Sequence, residues 1–422
     1  MKKIPFFINS NLCVNKNDVS SFSMFMDSVA GNTGNSYITY ALIKTIYGSI
    51  ETLNHIQNIY TYDFSTQERD IDFINNNCSE VFLILQDQIR IAESYGLQLP
   101  YKKIQNFVSK LNKPVIIAGL GANSFNGFDK DFHKKLKPEL IDFLKFLSDH
   151  CKKIGIRGHY TEEILHNIGV KNVSVIGCPS YYEMGANRIL KKQKNIALSD
   201  ILLTSFFHMQ TLAYNYQIMQ DYQEQKFITP AAFANFDAEL IPFELNKLKE
   251  QKYKIFSNIE TWKSFVSKFK FAIGYRLHGA ILSINSGVPA YCCNPDSRAT
   301  EMCNYLKIPH AVNATDDELI DLYNSIDIDL INNSYVELYD KYIKFLNENG
   351  ITPTQNKQNK DVINFSNLKL YDKKFWFNFL KLKITTFITK KYTALSNWLK
   401  KNTSKIEHEV KFLLLYFKRM MY

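Results

Sequence analysis

The chain has 422 residues, 45% of them hydrophobic, and 51 Lys+Arg against 41 Asp+Glu give it a formal net charge of +10. That length predicts two or three domains, each able to bury its own core, and the apolar fraction excludes a chain disordered throughout. The charge is uneven: residues 365–422 carry thirteen of the Lys+Arg (twelve lysines and Arg419) but only Asp372, Glu407 and Glu409 as acids, leaving 38 of each sign in residues 1–364.

The opening Met1-Lys2-Lys3-Ile4-Pro5-Phe6-Phe7-Ile8 imitates a signal peptide. Its apolar run stops at Asn9, short of the ~7–15 residues such a segment needs. No stretch approaches the ~18 apolar residues of a membrane-spanning helix, residues 412–417 being the densest. Seven cysteines form an odd set without C-x-x-C spacing. They predict neither a disulfide framework nor a thiolate zinc site, and read as small buried thiols, Cys292-Cys293 included. A cytoplasmic protein is expected.

Apolar β-rich runs then alternate with helical patterns, the signature of an α/β architecture. Residues 81–85, 115–119, 153–156 and 173–176 read as buried strands, with helices over 138–151 and 161–168, the latter closed by Gly169. A second series of strands follows at 201–206, 253–256, 271–275 and 290–293. The polar, lysine-rich stretch 187–200 reads as the connection between the two series, and the Asn/Gln/Lys-rich stretch 347–364 as a linker. The expected layout is an N-terminal domain over 1–187, a C-terminal domain over 188–346, the linker, and a helical tail over 365–422.

Ligands in open α/β sheets sit at the carboxyl ends of strands, where loops turn into helix N-termini. Four such junctions stand out. Gly31-Asn32-Thr33-Gly34-Asn35 precedes a helix expected over 37–46. Its glycines and asparagines permit positive φ and can aim backbone N–H groups at an anion, although an ordinary loop leading into a helix uses the same residues. Gly119-Leu120-Gly121-Ala122-Asn123 lacks the third small residue of a dinucleotide fingerprint, having Ser124 there, and close backbone packing explains its glycines equally well. Gly155-Ile156-Arg157-Gly158-His159 puts Arg157 at a carboxyl edge, able to grip a carboxylate or phosphate through two parallel hydrogen bonds or to pair with a neighbouring acid. His159 reads as a surface or capping residue. The sharpest junction is Tyr275-Arg276-Leu277-His278-Gly279, where a cation and an imidazole stand two residues apart at a strand-to-helix turn. Gly279 there lets backbone N–H groups approach a ligand, and His278 is available as a proton donor.

With these residues in view the chain resembles the polysaccharide pyruvyl transferase family over about residues 28–310. The matching segments run in order: Gly31–Asn35 through Tyr40-Ala41-Leu42, then residues 113–121, then Gly155-Ile156-Arg157 through Gly177, and finally Arg276-Leu277-His278-Gly279 through Ser286-Gly287-Val288-Pro289. Three departures accompany the match. Gln86-Asp87-Gln88 replaces a frequent glycine cluster, Gly158 stands where an acid commonly follows the arginine, and a further histidine used by some members has no counterpart that can be placed. The resemblance implies two facing Rossmann-like domains similar to the GT-B glycosyltransferases, phosphoenolpyruvate as donor, and a sugar of a cell-surface glycan, free or lipid-linked, as acceptor. It implies that Arg157 and Arg276 bind the donor anion and that His278 contacts phosphate or passes a proton. Gly279, Asn32, Gly34, Asn35 and Gly121 complete the expected donor-binding set. No metal or further cofactor is implied.

An alternative is a GT-B glycosyltransferase with a nucleotide-sugar donor, in which Arg276 would face the diphosphate and Glu301 the ribose. A third possibility is a catalytically silent scaffold that uses the tail for assembly. Residues 365–422 interleave Phe375-Trp376-Phe377, Phe379, Phe387, Trp398, Phe412 and Phe417 with twelve lysines. Ser404-Lys405-Ile406-Glu407 opens an amphipathic helix there. Such helices suit an anionic membrane surface, which would place the enzyme peripherally on the inner face of the cell membrane. Packing on the catalytic body or on a second copy is the other reading, and nucleic acid is not expected, because no recognition module accompanies the charge.

Overall fold

The computed structural model describes residues 4–10, 29, 31–48, 56–59, 62, 64, 68–91, 99–124, 127–204, 212, 215–220, 252–256, 258–293, 295–311 and 318–353. The chain divides into two units, Met1–Leu368 and Lys369–Tyr422. The basic tail, and residues 354–364 of the expected linker, lie outside the described residues. Among the described residues no helix is long and apolar enough to cross a membrane.

The first half runs β1 (Ile4–Asn9), α1 (Thr33–Tyr47), β2 (Ile56–Asn58), α2 (Glu68–Asn77), β3 (Cys78–Leu83), β4 (Ile89–Arg90), α3 (Tyr101–Ser109), β5 (Val115–Leu120), β6 (Ala122–Asn123), α4 (Pro138–His150), β7 (Ile154–Ile156), α5 (His159–Asn167) and β8 (Val173–Val175). The second runs β9 (Ile201–Leu203), β10 (Gln217–Ile218), β11 (Tyr253–Lys254), α6 (Ile259–Val266), β12 (Phe271–Gly274), α7 (Leu277–Asn285), β13 (Ala290–Cys293), α8 (Ser297–Leu306), β14 (His310–Ala311), α9 (Leu319–Ser325) and α10 (Ile328–Glu348). Two parallel six-stranded sheets result among the described residues, ordered β2-β1-β3-β5-β7-β8 and β11-β10-β9-β12-β13-β14, with a small β4-β6 pair beside the first. Parallel strands covered on both faces must be apolar throughout, and β5, β12 and β13 are buried along their whole lengths. These are the two Rossmann-like sheets that the resemblance implied.

Strand order reverses between β1 and β3 in the first sheet and between β9 and β12 in the second. A crevice opens at the carboxyl ends of strands flanking such a switch point. Those ends are Asn9 and residues 84–88 in one sheet, Thr204 and residues 275–279 in the other. Helix α1 joins them: Asn9 Nδ2 donates to Asn35 O (2.9 Å), and Thr33 N donates to Gln220 O (2.8 Å) beyond β10.

The apolar run too short for a signal peptide is β1, an interior strand between β2 and β3 with Phe7 and Ile8 fully buried. Two expectations change. The helix expected over 37–46 begins at Thr33, so Thr33-Gly34-Asn35 form its first turn and Asn32 is its N-cap. The stretch expected to open a linker at 347 belongs to the body, since α10 runs to Glu348 and Ile351 is buried.

Helix α10 also crosses back to the first sheet. Tyr342 stacks on Tyr182 with ring centroids 4.5 Å apart, and Lys153 N donates to Asn349 Oδ1 (3.3 Å). Phe345 covers Gly155 so closely that a Cβ there would lie 2.8 Å from its Cζ. The connection 187–200 is tied down as well, Lys192 Nζ donating to the carbonyls of Asn324 (2.8 Å) and Ile326 (3.0 Å).

Candidate active site

His278 lies in the first turn of α7, directly after β12, with Arg276 at the N-cap position and no side chain capping the helix. One edge of the imidazole packs against α1. A Cβ on Gly34 would lie 2.5 Å from His278 Nδ1 and 2.7 Å from its Cγ, so only glycine fits there. On the other edge, Nε2 is 3.5 Å from the Sγ of buried Cys178, which is 3.0 Å from Ser180 Oγ. Loss of hydration, then the charges of Arg157, Arg298 and Arg276, push the imidazole down to about 3, with Asp87 opposing. His278 is therefore neutral near pH 7.

Arg157 leaves the end of β7 and is 2% exposed. Its backbone N donates to Leu120 O (2.9 Å), and its Cδ occupies the space above Gly121, where a Cβ would come within 2.5 Å. The Nε of this guanidinium has no hydrogen-bond partner among the described residues. Burial works against its charge while Cys178, Asp87 and Glu301 support it, and a guanidinium remains protonated in proteins.

Arg298, in the first turn of α8, donates from Nη1 to Asp87 Oδ2 (2.9 Å) and pairs through Nη2 with Asp296 (3.1 Å). Burial alone would raise the Asp87 carboxyl, but Arg298, Arg157 and Arg90 hold it at about 2. Asp87 sits in the turn after β3, where Gln86 takes a φ of +54°. The glycine cluster expected there is absent, yet the backbone keeps a left-handed conformation that glycine favours.

Glu301, on α8, faces the start of α5. Its Oε1 accepts from Thr161 N (2.6 Å) and its Oε2 from Thr161 Oγ1 (2.9 Å). A Cβ on Gly158 would fall on Glu301 Cγ. Burial pushes the carboxyl up to about 7 against the pull of Thr161 and Arg157.

The expected residues thus separate. Arg157, Arg276 and His278 share one electrostatic neighbourhood. The backbone cradle expected from Asn32, Gly34, Asn35 and Gly121 is otherwise engaged. Gly34 N donates to Asn32 Oδ1 (2.8 Å), Asn35 N to Asn32 O (3.0 Å) and Gly121 N to Gln86 O (2.6 Å). Gly34 and Gly121 instead make room for His278 and Arg157. Gly279 packs on Thr204 and Gln220, where a Cβ would come within 2.6 Å and 2.5 Å, and its N–H is turned back to Arg276 O (3.0 Å). His159 is exposed and pairs with Glu162 (2.8 Å). No group of three or more metal-ligating side chains occurs among the described residues. Reading the sequence missed Arg298, Asp87 and Cys178. Arg298 follows β13 at a strand-to-helix junction of the kind already singled out, so the signal for it was present; Asp87 and Cys178 carry none.

Two doubly wound sheets, with Arg276 and His278 at the switch point of the second and Arg157 and Arg298 beyond the carboxyl ends of β7 and β13, define an α/β protein with a charged candidate site. The family model for polysaccharide pyruvyl transferase matches residues 32–297, well over half of the chain. The chain belongs to that family and is a transferase. No curated protein matches its sequence. Among solved structures, the HepE protein of Anabaena, in complex with UDP and glucose, aligns at 7% identity over 83% of this chain and 98% of its own, with a TM-score of 0.36. A putative UDP-N-acetylglucosamine 2-epimerase from Listeria monocytogenes aligns at 10% identity over 86% and 100%, with a TM-score of 0.41. The UDP-GlcNAc 2-epimerase of Methanocaldococcus jannaschii gives 11%, 82% and 99%, with 0.39. Likenesses of this size carry nothing about the ligand of this chain.

Proposed function

We propose that the protein transfers a pyruvyl group from phosphoenolpyruvate to a sugar of a cell-surface glycan and leaves it there as a cyclic ketal. One observation carries this reading: His278 is held neutral first by burial and then by the charges of Arg157, Arg298 and Arg276, which all act on the same ring. Phosphoenolpyruvate carries a carboxylate and a phosphate on one carbon, and fixed guanidinium groups suit both. Arg157 and Arg276 hold the donor anion, with the uncapped start of α7 beside it.

The reaction follows from charge. A proton adds to the donor's methylene carbon, an acceptor hydroxyl attacks the adjacent carbon, and the bond to phosphate breaks with its electron pair on the phosphate. A second hydroxyl of the same sugar then closes the ketal, and the two hydroxyl protons are released. Preorganised cations contribute most as charge moves onto the departing phosphate. The donor's own negative charge opposes the arginines at His278, so the imidazole gains affinity for a proton once the donor is bound. His278 then hydrogen-bonds the phosphate or passes a proton.

The nucleotide-sugar alternative is less favoured, because Glu301, its ribose partner, is 3% exposed and already holds Thr161 through both oxygens. We place the enzyme at an anionic membrane surface through residues 365–422, on their lysine and aromatic content. Incubation with phosphoenolpyruvate and lipid-linked sugars should release phosphate and yield a ketal-bearing product. Turnover of a nucleotide sugar with no phosphate release from phosphoenolpyruvate would overturn the assignment. Truncation after Asn364 should weaken binding to anionic liposomes, and undiminished binding would remove the membrane placement.

A further inference from the structure

Arg157 belongs to the first sheet, yet what fixes it comes from the second. Its side chain is threaded over Gly121, and its next neighbour, Gly158, lies against the stem of Glu301 with no space for a side chain between them. Three residues further on, Thr161 donates to both carboxylate oxygens of Glu301. Thr161 Oγ1 meanwhile accepts from Ala122 N (2.9 Å), immediately after Gly121. The two segments that enclose the Arg157 stem, 121–122 and 158–161, are therefore closed by one carboxylate 3% exposed and 140 positions away from Thr161.

We propose that Glu301 is a positioning residue for Arg157, reaching across from the second sheet to set where its guanidinium meets the donor anion. The inference rests on the donor site proposed above. A buried guanidinium with an unpartnered Nε grips an anion well only while its stem stays put, and a displacement of about 1 Å at such a group costs up to ~100-fold. Carboxylate geometry matters here more than charge. A glutamine at 301 can still accept from Thr161 N, whereas an alanine leaves the start of α5 without that partner and opens space beside Gly158.

Phosphoenolpyruvate and inorganic phosphate should be titrated separately into the full chain and its variants by calorimetry, with turnover measured for phosphoenolpyruvate. Glu301→Ala should weaken both anions by ~10–100-fold, with the loss falling on KM rather than kcat. Glu301→Gln should recover most of it. Gly158→Ala, which pushes on Glu301 without removing it, should reproduce the loss. If Glu301→Ala does not fold, Thr161→Val keeps the backbone bond to Glu301 but removes both bonds at Oγ1, to Glu301 and from Ala122 N, and should still weaken both anions. Wild-type affinity in Gly158→Ala and in a folded Glu301→Ala or Thr161→Val overturns the proposal, and so does a glutamine variant as weak as alanine. If the wild type binds phosphate but not phosphoenolpyruvate, the donor assignment fails while the phosphate series still decides the role of Glu301. If it binds neither, both fall.

Discussion

Two polar clusters tie the sheets together, and they differ in how their charge is balanced. In one, Glu183 accepts from Lys263 Nζ (2.7 and 2.8 Å), from Lys44 Nζ and from Tyr37 OH (3.1 Å), so α1 and α6 meet on a single carboxylate. Asn285 Nδ2 extends the network to Tyr37 OH and Ser180 O, both at 2.7 Å. Burial would raise the Glu183 carboxyl, but the two lysines hold it low. In the other cluster, positive charge exceeds what its acids offset at His278, and the guanidinium of Arg157 keeps an unused donor. The charges of the first cluster offset one another, although Asn285 Oδ1 has no hydrogen-bond partner among the described residues. The second keeps a buried guanidinium donor unused and a histidine under the net pull of arginines, and that charge imbalance marks it as the candidate site.

The largest effect that could break this comparison is Glu183→Ala. It would leave buried Lys263 without its carboxylate beside half-exposed Lys44, at a cost of ~2–4 kcal/mol in stability, read as a lowered chemical-denaturation midpoint. A loss below ~1 kcal/mol would show that the network does not hold the sheets together. The native Glu183 carboxyl is depressed, so the stability it contributes is present above its unfolded value and fades as pH falls through the folded one.

Next come Arg276→Ala and His278→Ala. Each should lower pyruvyl transfer by ~100- to 1,000-fold, the range for removing one preorganised donor, while leaving the unfolding midpoint near wild type. Unchanged rates would move the chemistry elsewhere. Gly34→Ala is smaller and sharpens the picture by sterics alone: its new methyl group must displace the imidazole, and a loss of ~10-fold in turnover is expected, with some destabilisation from overpacking.

Near neutral pH the smallest effect is that of titration, which grows only as the solution is acidified. With His278 at about 3 rather than its ordinary 6.5, the unfolded chain binds a proton that the folded one refuses. Stability from this group is full above about 6.5 and is lost as pH falls toward about 3. Phosphoenolpyruvate should lift the imidazole's titration, and NMR of the ring protons would follow it. A ring already protonated at pH 6 without ligand would contradict the neutral state.

The sequence exposes whatever is local. Arg157, Arg276 and His278 stand at strand-to-helix junctions, and that pattern needs no tertiary information. The strands β4, β6, β10 and β14 have only two residues each, too few for any periodicity. Strand β1 was visible as an apolar run but was weighed against the wrong template. The supports of the site come from far away: Asp87 and Arg298 are 211 positions apart, Thr161 and Glu301 140. Gly34 and Gly121 invite a phosphate-loop reading because a glycine that admits a ligand and one that admits a neighbouring side chain look identical in one dimension.

Helix α10 adds a constraint on how the protein is made. Gly155 and Phe345, which press together at the first sheet, leave the ribosome ~10–40 s apart at ordinary rates of synthesis. Until the later segment arrives, the parts of Gly155 and Tyr182 that Phe345 and Tyr342 cover stay open. The first half of the chain therefore waits, partly assembled and sticky, for a helix encoded near residue 345, and cutting the gene between the two sheets would produce two aggregation-prone pieces rather than two domains.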